Sequence, residues 1–444
     1  MTVARFHCEL AWLGGPVASR DVLVDIADGR ISAVSEGEPA PPGVSRLAGL
    51  TLPGFANAHS HAFHRVLRGR TQAGTGSFWT WRDQMYDLAA RLDPGRYHDL
   101  ARAVFGEMVL AGVTCVGEFH YVHHGPGGVP YTDPNAMSAA LVAAADEAGL
   151  RITLLDTVYL HGGIGSGPND VQRRFSDGSI GAWRERMGAA THLTSSRARL
   201  GAAIHSVRAV DPASIEAVAE WASAGACVLH AHVSEQPAEN QQCRDAYGLT
   251  PVALLARSGA LGDRFTAVHA THLTGDDIAA LGGSGSTVCL CPTTERDLAD
   301  GVGPTGSLRD AGARLTVGSD SHAVIDLLEE ARAIELHERL ATGIRGHHTA
   351  TSLIRACTDD GHRSLGWPEA GRIEVGALAD LVSVRLDTVR TAGATAATAI
   401  ESTVFAANAG DVHHVVVGGE VMVADGRHAR FDVAAELCRT VSAW

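Results

Sequence analysis

The chain has 444 residues, 45% of them apolar, and a formal net charge of −14. That suffices for one large core and a smaller one, while so acidic a surface repels phosphate backbones and anionic lipids, so nucleic acid and membranes are not expected partners. All 36 positive charges are arginine, which excludes Schiff-base catalysis, the phosphate-loop lysine and a carbamylated-lysine bridge between two metals, because each needs an amine.

The N-terminal stretch MTVARFHCELAWLGG has no basic segment leading into a long apolar core. No run anywhere reaches about 18 apolar residues, so a soluble, cytoplasmic protein is expected. VLVDIADGRISAVSEG is strand-and-turn in character with Asp-Gly punctuation, and EGEPAPPG (36–43) reads as a loop. Eight β-rich runs follow, at 52–59, 113–121, 151–159, 200–207, 227–235, 265–272, 286–292 and 315–321. Between them lie segments such as DPNAMSAALVAAADEAGL and DPASIEAVAEWASAGA, which start on Asp-Pro, space their apolar residues helically and end near glycine. Eight strands alternating with helices predict an α/β protein, a (β/α)8 TIM-like barrel over residues 51–372 with its chemistry at the C-terminal strand ends. DLVSVRLDTV and HHVVVGGEVMVADGRH return to strand and turn, so residues 1–50 and 373–444 are predicted to form one small β-sandwich domain.

Eight cysteines in so long a chain form no disulfide framework and read as buried free thiols. The closest pair, Cys289 and Cys291, is read as pointing to opposite faces of a strand rather than as a metal pair.

The first barrel strand runs into HSH. His59 and His61 alternate along an extended chain and so face one side, where two imidazoles can grip one metal ion. Other strand ends add His232 in HAHVSE, His269 in VHATH and Asp320 in VGSDS. Drawn from this pool, three histidines and a carboxylate suit Zn2+, with Fe2+ as second choice, and leave one position for water.

The order H-x-H, His, His, Asp at the ends of strands one, five, six and eight resembles the amidohydrolase superfamily, and the missing lysine places the chain beside its mononuclear deaminase branch. That resemblance implies that His59, His61, His232 and Asp320 bind one metal ion while Glu235, in H-x-x-E, and His269 handle protons. The chemistry is coherent on its own terms: a metal acidifies a water, Asp320 accepts a proton beside it, and Glu235 carries one to a leaving nitrogen.

Longer stretches, HSHAFHR, SFWTWRDQMY (77–86), GEFHYVHH (117–124), AIHSVRAV (203–210), HVSEQPAE (232–239) and CPTTERDLADG (291–301), together resemble the formimidoylglutamate deiminase family. Its members convert N-formimino-L-glutamate and water to N-formyl-L-glutamate and ammonia in histidine breakdown. The resemblance assigns Arg82, Tyr121, His205 and Arg208 to the glutamate carboxylates, a role for which arginine forks are suited. It also puts His64 where the family often has glutamine to hold a carboxylate, and a histidine there is expected to titrate near neutrality. The expected partner is a small molecule carrying carboxylates, and a homodimer is compatible with the sequence. Trp79 and Trp81 are read as packing a loop, and His120, His123 and His124 as loop histidines rather than ligands. Two other readings stand beside this one: a mononuclear metal-dependent deaminase of a cytosine- or guanine-like heterocycle, which would want aromatic stacking and amide recognition, and a catalytically inactive scaffold, which would have lost ligands.

Overall fold

Two eight-stranded sheets make up the computed structural model of this protein, which describes residues 3–444. Met1 and Thr2, the first residues of the predicted small domain, lie outside the described residues. The first sheet takes β1 (Val3–Ala11), β2 (Ser19–Ala27), β3 (Arg30–Ser35) and β4 (Ser45–Pro53) from one end of the chain. The other end supplies β13 (Leu381–Val384), β14 (Val412–Val417), β15 (Glu420–Ala424) and β16 (Arg427–His428). The order is β16-β15-β14-β13-β4-β1-β2-β3, with β1 and β4 parallel at the centre. The β3 edge folds back: Ile31 N–H donates to the Ala377 carbonyl at 2.9 Å and Gly376 N–H to the Ile31 carbonyl at 2.8 Å. The sheet thereby encloses Phe6, Val24, Ile31, Leu47 and Leu381 in a sandwich-like core of its own.

The second sheet is the barrel, with β5 (Phe55–Ser60), β6 (Val113–His120), β7 (Arg151–Val158), β8 (Ala198–Ile204), β9 (Leu229–Val233), β10 (Phe265–His269), β11 (Thr287–Leu290) and β12 (Arg314–Val317) in chain order. Every residue of β5, β6 and β7 is buried, as parallel strands sheathed by helices must be. Each of the eight predicted runs overlaps a barrel strand, but the run 52–59 is split, because Leu52 and Pro53 complete β4 before β5 begins at Phe55. Gly54 makes the step; a Cβ there would sit 2.3 Å from Thr114 Oγ1. Closure comes where Ser60 bridges Asp320. Gly318 permits it, since a Cβ at that position would lie 2.7 Å from His59 Cβ.

The helix signals operate locally: Asp211 caps Pro212–Ala224 by accepting the Ser214 N–H, with proline at the first helical position, and Gly149 ends Ala136–Ala148 in the left-handed conformation. The last helix, Val433–Ser442, leaves the small sheet and lies on the barrel helix Pro94–Leu110, where Arg439 meets Asp99 at 3.1 Å and Arg102 meets Glu436 at 3.4 Å. A buried Arg151–Asp380 pair, at 2.8 and 3.1 Å, ties the barrel to the small domain.

All eight cysteines are free and six are buried. The expectation for Cys289 and Cys291 is wrong in parity: side chains two apart on a strand share a face, and both thiols pack with Ala58 and Val268. Among the described residues, no helix is long and apolar enough to cross a membrane.

Candidate active site

Four side chains converge at the C-terminal mouth of the barrel. His59 is the next-to-last residue of β5, His61 follows the strand, His232 comes from the end of β9, and Asp320 lies three residues past β12. Their ligand atoms all fall within 4.8 Å of one another. The Asp320 Oδ1 is 3.3 Å from His59 Nε2 and 3.4 Å from His61 Nε2, and His232 Nε2 is 3.2 Å from His59 Nε2. Two of the three outer nitrogens are committed elsewhere: His61 Nδ1–H donates to the Phe119 carbonyl and His232 Nδ1–H to the His205 carbonyl, each at 2.9 Å, while His59 Nδ1 has no partner among the described residues. This fixes the tautomers and leaves both Nε2 lone pairs aimed at the common point, as a divalent cation requires. Burial lowers the proton affinity of all three rings, while Asp320, despite burial, is held well below the usual carboxylate range by His59 and its neighbours. Neutral imidazoles around one carboxylate fit Zn2+.

Glu235 and His269 stand beside this cluster. Glu235 Oε1 is 3.6 Å from His269 Nε2, and His269 Nε2 is 3.9 Å from Asp320 Oδ2. Burial pushes the Glu235 carboxyl up to about 7, against the pull of His269 and Arg208. A carboxylic acid in that range can both hold and release a proton near neutrality. Burial opposes a charged His269, but the carboxylates of Glu235, Glu295 and Asp320 outweigh it and raise its proton affinity well above the usual value.

A cavity of about 260 Å³ opens from this cluster and is lined by each substrate-side residue expected from the sequence: His64, Arg82, Tyr121, His205 and Arg208. Arg82 Nε and Arg208 Nε are buried without hydrogen-bond partners. The Arg82 guanidinium stacks 4.6 Å from the Trp79 ring, and Arg208 Nε lies 3.7 Å from the buried Glu239 carboxylate. His64 Nε2 and the Tyr121 hydroxyl are 3.1 Å apart. The expectation that His64 titrates near neutrality fails, because burial pushes it down to about 3 and keeps the ring neutral.

Other expectations are also corrected. SFWTWR is not a loop but the start of the helix Phe78–Ala89; Trp79 and Trp81 both line the cavity, and Trp81 meets the His64 ring edge-on at 5.0 Å. His120 ends β6, and His123 and His124 are buried just beyond it. His120, His123 and Asp156 are close enough to share a metal, yet both Asp156 oxygens are taken by Arg186 at 2.6 and 2.8 Å, which makes this a buried ion-pair network. Sequence reasoning missed Tyr86 and Tyr159 in the cavity wall, although both lie in the stretches 77–86 and 151–159. It also missed Glu295, whose Oε1 lies 3.3 Å from His269 Nδ1, and Glu118, which accepts from Ser60 Oγ at 2.6 Å and Ala62 N–H at 2.7 Å behind the H-x-H turn.

Fold and donor set are those of a metal-dependent hydrolase, and residues 50–422 match the amidohydrolase family, to which the chain belongs. The formimidoylglutamate deiminase of Pseudomonas aeruginosa is 35% identical to it over 422 residues, 93% of each chain. A solved amidohydrolase from Brucella melitensis superposes with a TM-score of 0.88 at 31% identity, covering 99% of both chains. An adenosine deaminase from Xanthomonas campestris with bound zinc superposes at 0.83 and 25% identity, covering 99% of this chain and 97% of that one.

Proposed function

We propose that this hydrolase deiminates N-formimino-L-glutamate, in the cytoplasm and within histidine degradation, using one zinc ion held by His59, His61, His232 and Asp320. The observation that carries the reading is the pair of arginines, Arg82 and Arg208, whose buried Nε groups lack partners in the wall of a cavity that ends at the histidine cluster. A buried guanidinium N–H without an acceptor is costly, and a carboxylate substrate can supply one. The 35% identity to the Pseudomonas deiminase and the zinc in the Xanthomonas deaminase support substrate and metal respectively.

The bound cation supplies Lewis acidity and an acidified water. The chain's own groups do the rest. Arg82, Arg208, His205 and Tyr121 hold the carboxylates and direct the formimino carbon toward the cluster, while neutral His64 donates one further hydrogen bond. Asp320 takes one proton from the water as its oxygen bonds to the formimino carbon, Glu235, protonated near neutral pH, delivers a proton to the leaving nitrogen, and the hydroxyl proton of the adduct returns to Glu235 as the C=O forms. The C–N bond breaks, releasing ammonia and leaving the formyl group on the glutamate nitrogen. His269, beside both carboxylates, stabilises the charge that builds up between them.

A second reading, deamination of a nitrogen heterocycle, is favoured by the aromatic wall of Trp79, Tyr86, Tyr159 and Phe175. Product analysis by NMR separates the two: N-formyl-L-glutamate and ammonia in equal amounts support the first, and turnover of heterocycles alone would replace it with the second.

A further inference from the structure

His269 is the last residue of β10 and adopts φ of +68°, followed by Ala270 at +51°. Residues bearing a Cβ hold that conformation only where their surroundings fix it. The Nε2 edge of the ring faces Glu235 and Asp320. The Nδ1 edge faces away from them and meets Glu295 Oε1 at 3.3 Å. The same oxygen accepts the Cys291 N–H at 2.8 Å, and Glu295 is only 4% exposed. The turn carrying Glu295 is anchored on both sides. Thr293 N–H donates to Glu330 Oε2 at 2.9 Å, and Thr294 Oγ1 accepts the Ser321 N–H at 3.1 Å, one residue after Asp320.

We infer that Glu295 is a positioning residue for His269: by accepting the Nδ1–H it fixes the rotation of the ring, so that Nε2 is the edge offered to Glu235 and Asp320. An imidazole with one nitrogen committed to a carboxylate presents the other in a defined state, the logic by which a third group orients a catalytic base. Without Glu295 the ring can turn about its Cβ–Cγ bond, and the Nε2 edge is no longer held in place. The anchored turn makes the carboxylate a fixed reference, since Cys291, Thr293 and Thr294 leave it little freedom. The inference rests on the hydrolytic reading of the site but not on which substrate enters it.

The test is steady-state ammonia release, with metal content measured on each sample, for wild type, Glu295→Gln, Glu295→Asp, Glu295→Ala, His269→Ala, and the last combined with each Glu295 change. Glu295→Ala is expected to lower kcat about 10- to 100-fold while KM moves less than about threefold and metal content stays at the wild-type level. Glu295→Gln keeps an oxygen acceptor for both N–H groups and should restore kcat to within a fewfold of wild type. In the His269→Ala background, changing Glu295 should cost nothing further, because the ring it orients is gone. Should Glu295→Ala fail to fold, Glu295→Asp, which withdraws the carboxylate by one methylene, carries the same comparison. Additive losses in the two backgrounds, a KM change as large as the kcat change, or wild-type kcat in the Ala or Asp variants would overturn the inference. A wild type inactive on every formimino and heterocyclic compound would instead remove the hydrolytic reading, and this inference with it.

Discussion

Asp320 and His59 are joined twice: the Asp320 N–H donates to the His59 carbonyl at 3.0 Å, and the Asp320 carboxylate lies 3.3 Å from His59 Nε2. One pair thus closes the barrel between its last and first strands and supplies two of the four donors at its mouth. Donors crowded this closely, with the outer nitrogens of His61 and His232 already hydrogen-bonded, expect a cation between them. The purified protein should therefore carry about one divalent metal per chain. Chelation should abolish turnover and lower Tm, since a ligand at a hundred times its Kd stabilises the fold by about 2.7 kcal/mol. Two equivalents of metal in elemental analysis, or a Tm indifferent to chelation, would contradict the mononuclear site.

Glu235→Gln keeps the shape of the side chain and removes its proton chemistry. Metal content should be unchanged while kcat falls by roughly 10²-fold or more, the usual scale for a general acid–base group. Turnover near that of wild type would reduce Glu235 to a wall residue.

Arg208→Met should lower kcat/KM for formimino-glutamate by about tenfold to a hundredfold, given that a hydrogen bond to a charged group contributes roughly 1.5–3 kcal/mol. The loss should be smallest on a formimino compound lacking one carboxylate. Because Arg208 also neutralises buried Glu239 at 3.7 Å, Arg82→Met provides the cleaner variant, and its metal content and fold should match wild type. Intact kinetics in both variants would remove the acidic substrate from the account.

Away from the site, the buried Asp156 should leave its mark on acid stability. Burial pushes its carboxyl up, but Arg186 and His123 outweigh it and bring it down to about 2. A pKa depressed by folding contributes stability that is complete above the unfolded value of about 3.9 and is lost as pH falls through the folded one, here on the order of 2 kcal/mol. Thermal unfolding from about pH 5 to pH 2 should accordingly fall more steeply in wild type than in Asp156→Asn, which starts less stable. Parallel curves would show that the pair carries no such linkage.

The eight barrel strands were legible because parallel strands are continuous apolar runs ended by turn residues, and the metal-site donors because they sit at the ends of those runs. What escaped was whatever depends on orientation or distance. Arg82 reads the same in a loop as on the helix that carries it, and only the folded cavity shows that its Nε lacks a partner. Glu295 and Glu118 are ordinary carboxylates in the sequence; their importance lies in contacts spanning 26 and 58 residues. The charge state of His64 was misjudged because burial, not residue type, decides it. The parity of Cys289 and Cys291 was readable and was misread.

The most direct test of the account is kcat/KM of the zinc-loaded enzyme for N-formimino-L-glutamate set against adenosine, guanine and cytosine in one ammonia-release assay. With two arginines in its wall, the cavity should prefer formimino-glutamate by at least about 10²-fold, the worth of two charged hydrogen bonds that a neutral ring cannot make. A preference for any of the heterocycles, or equal efficiency on all four, would contradict it.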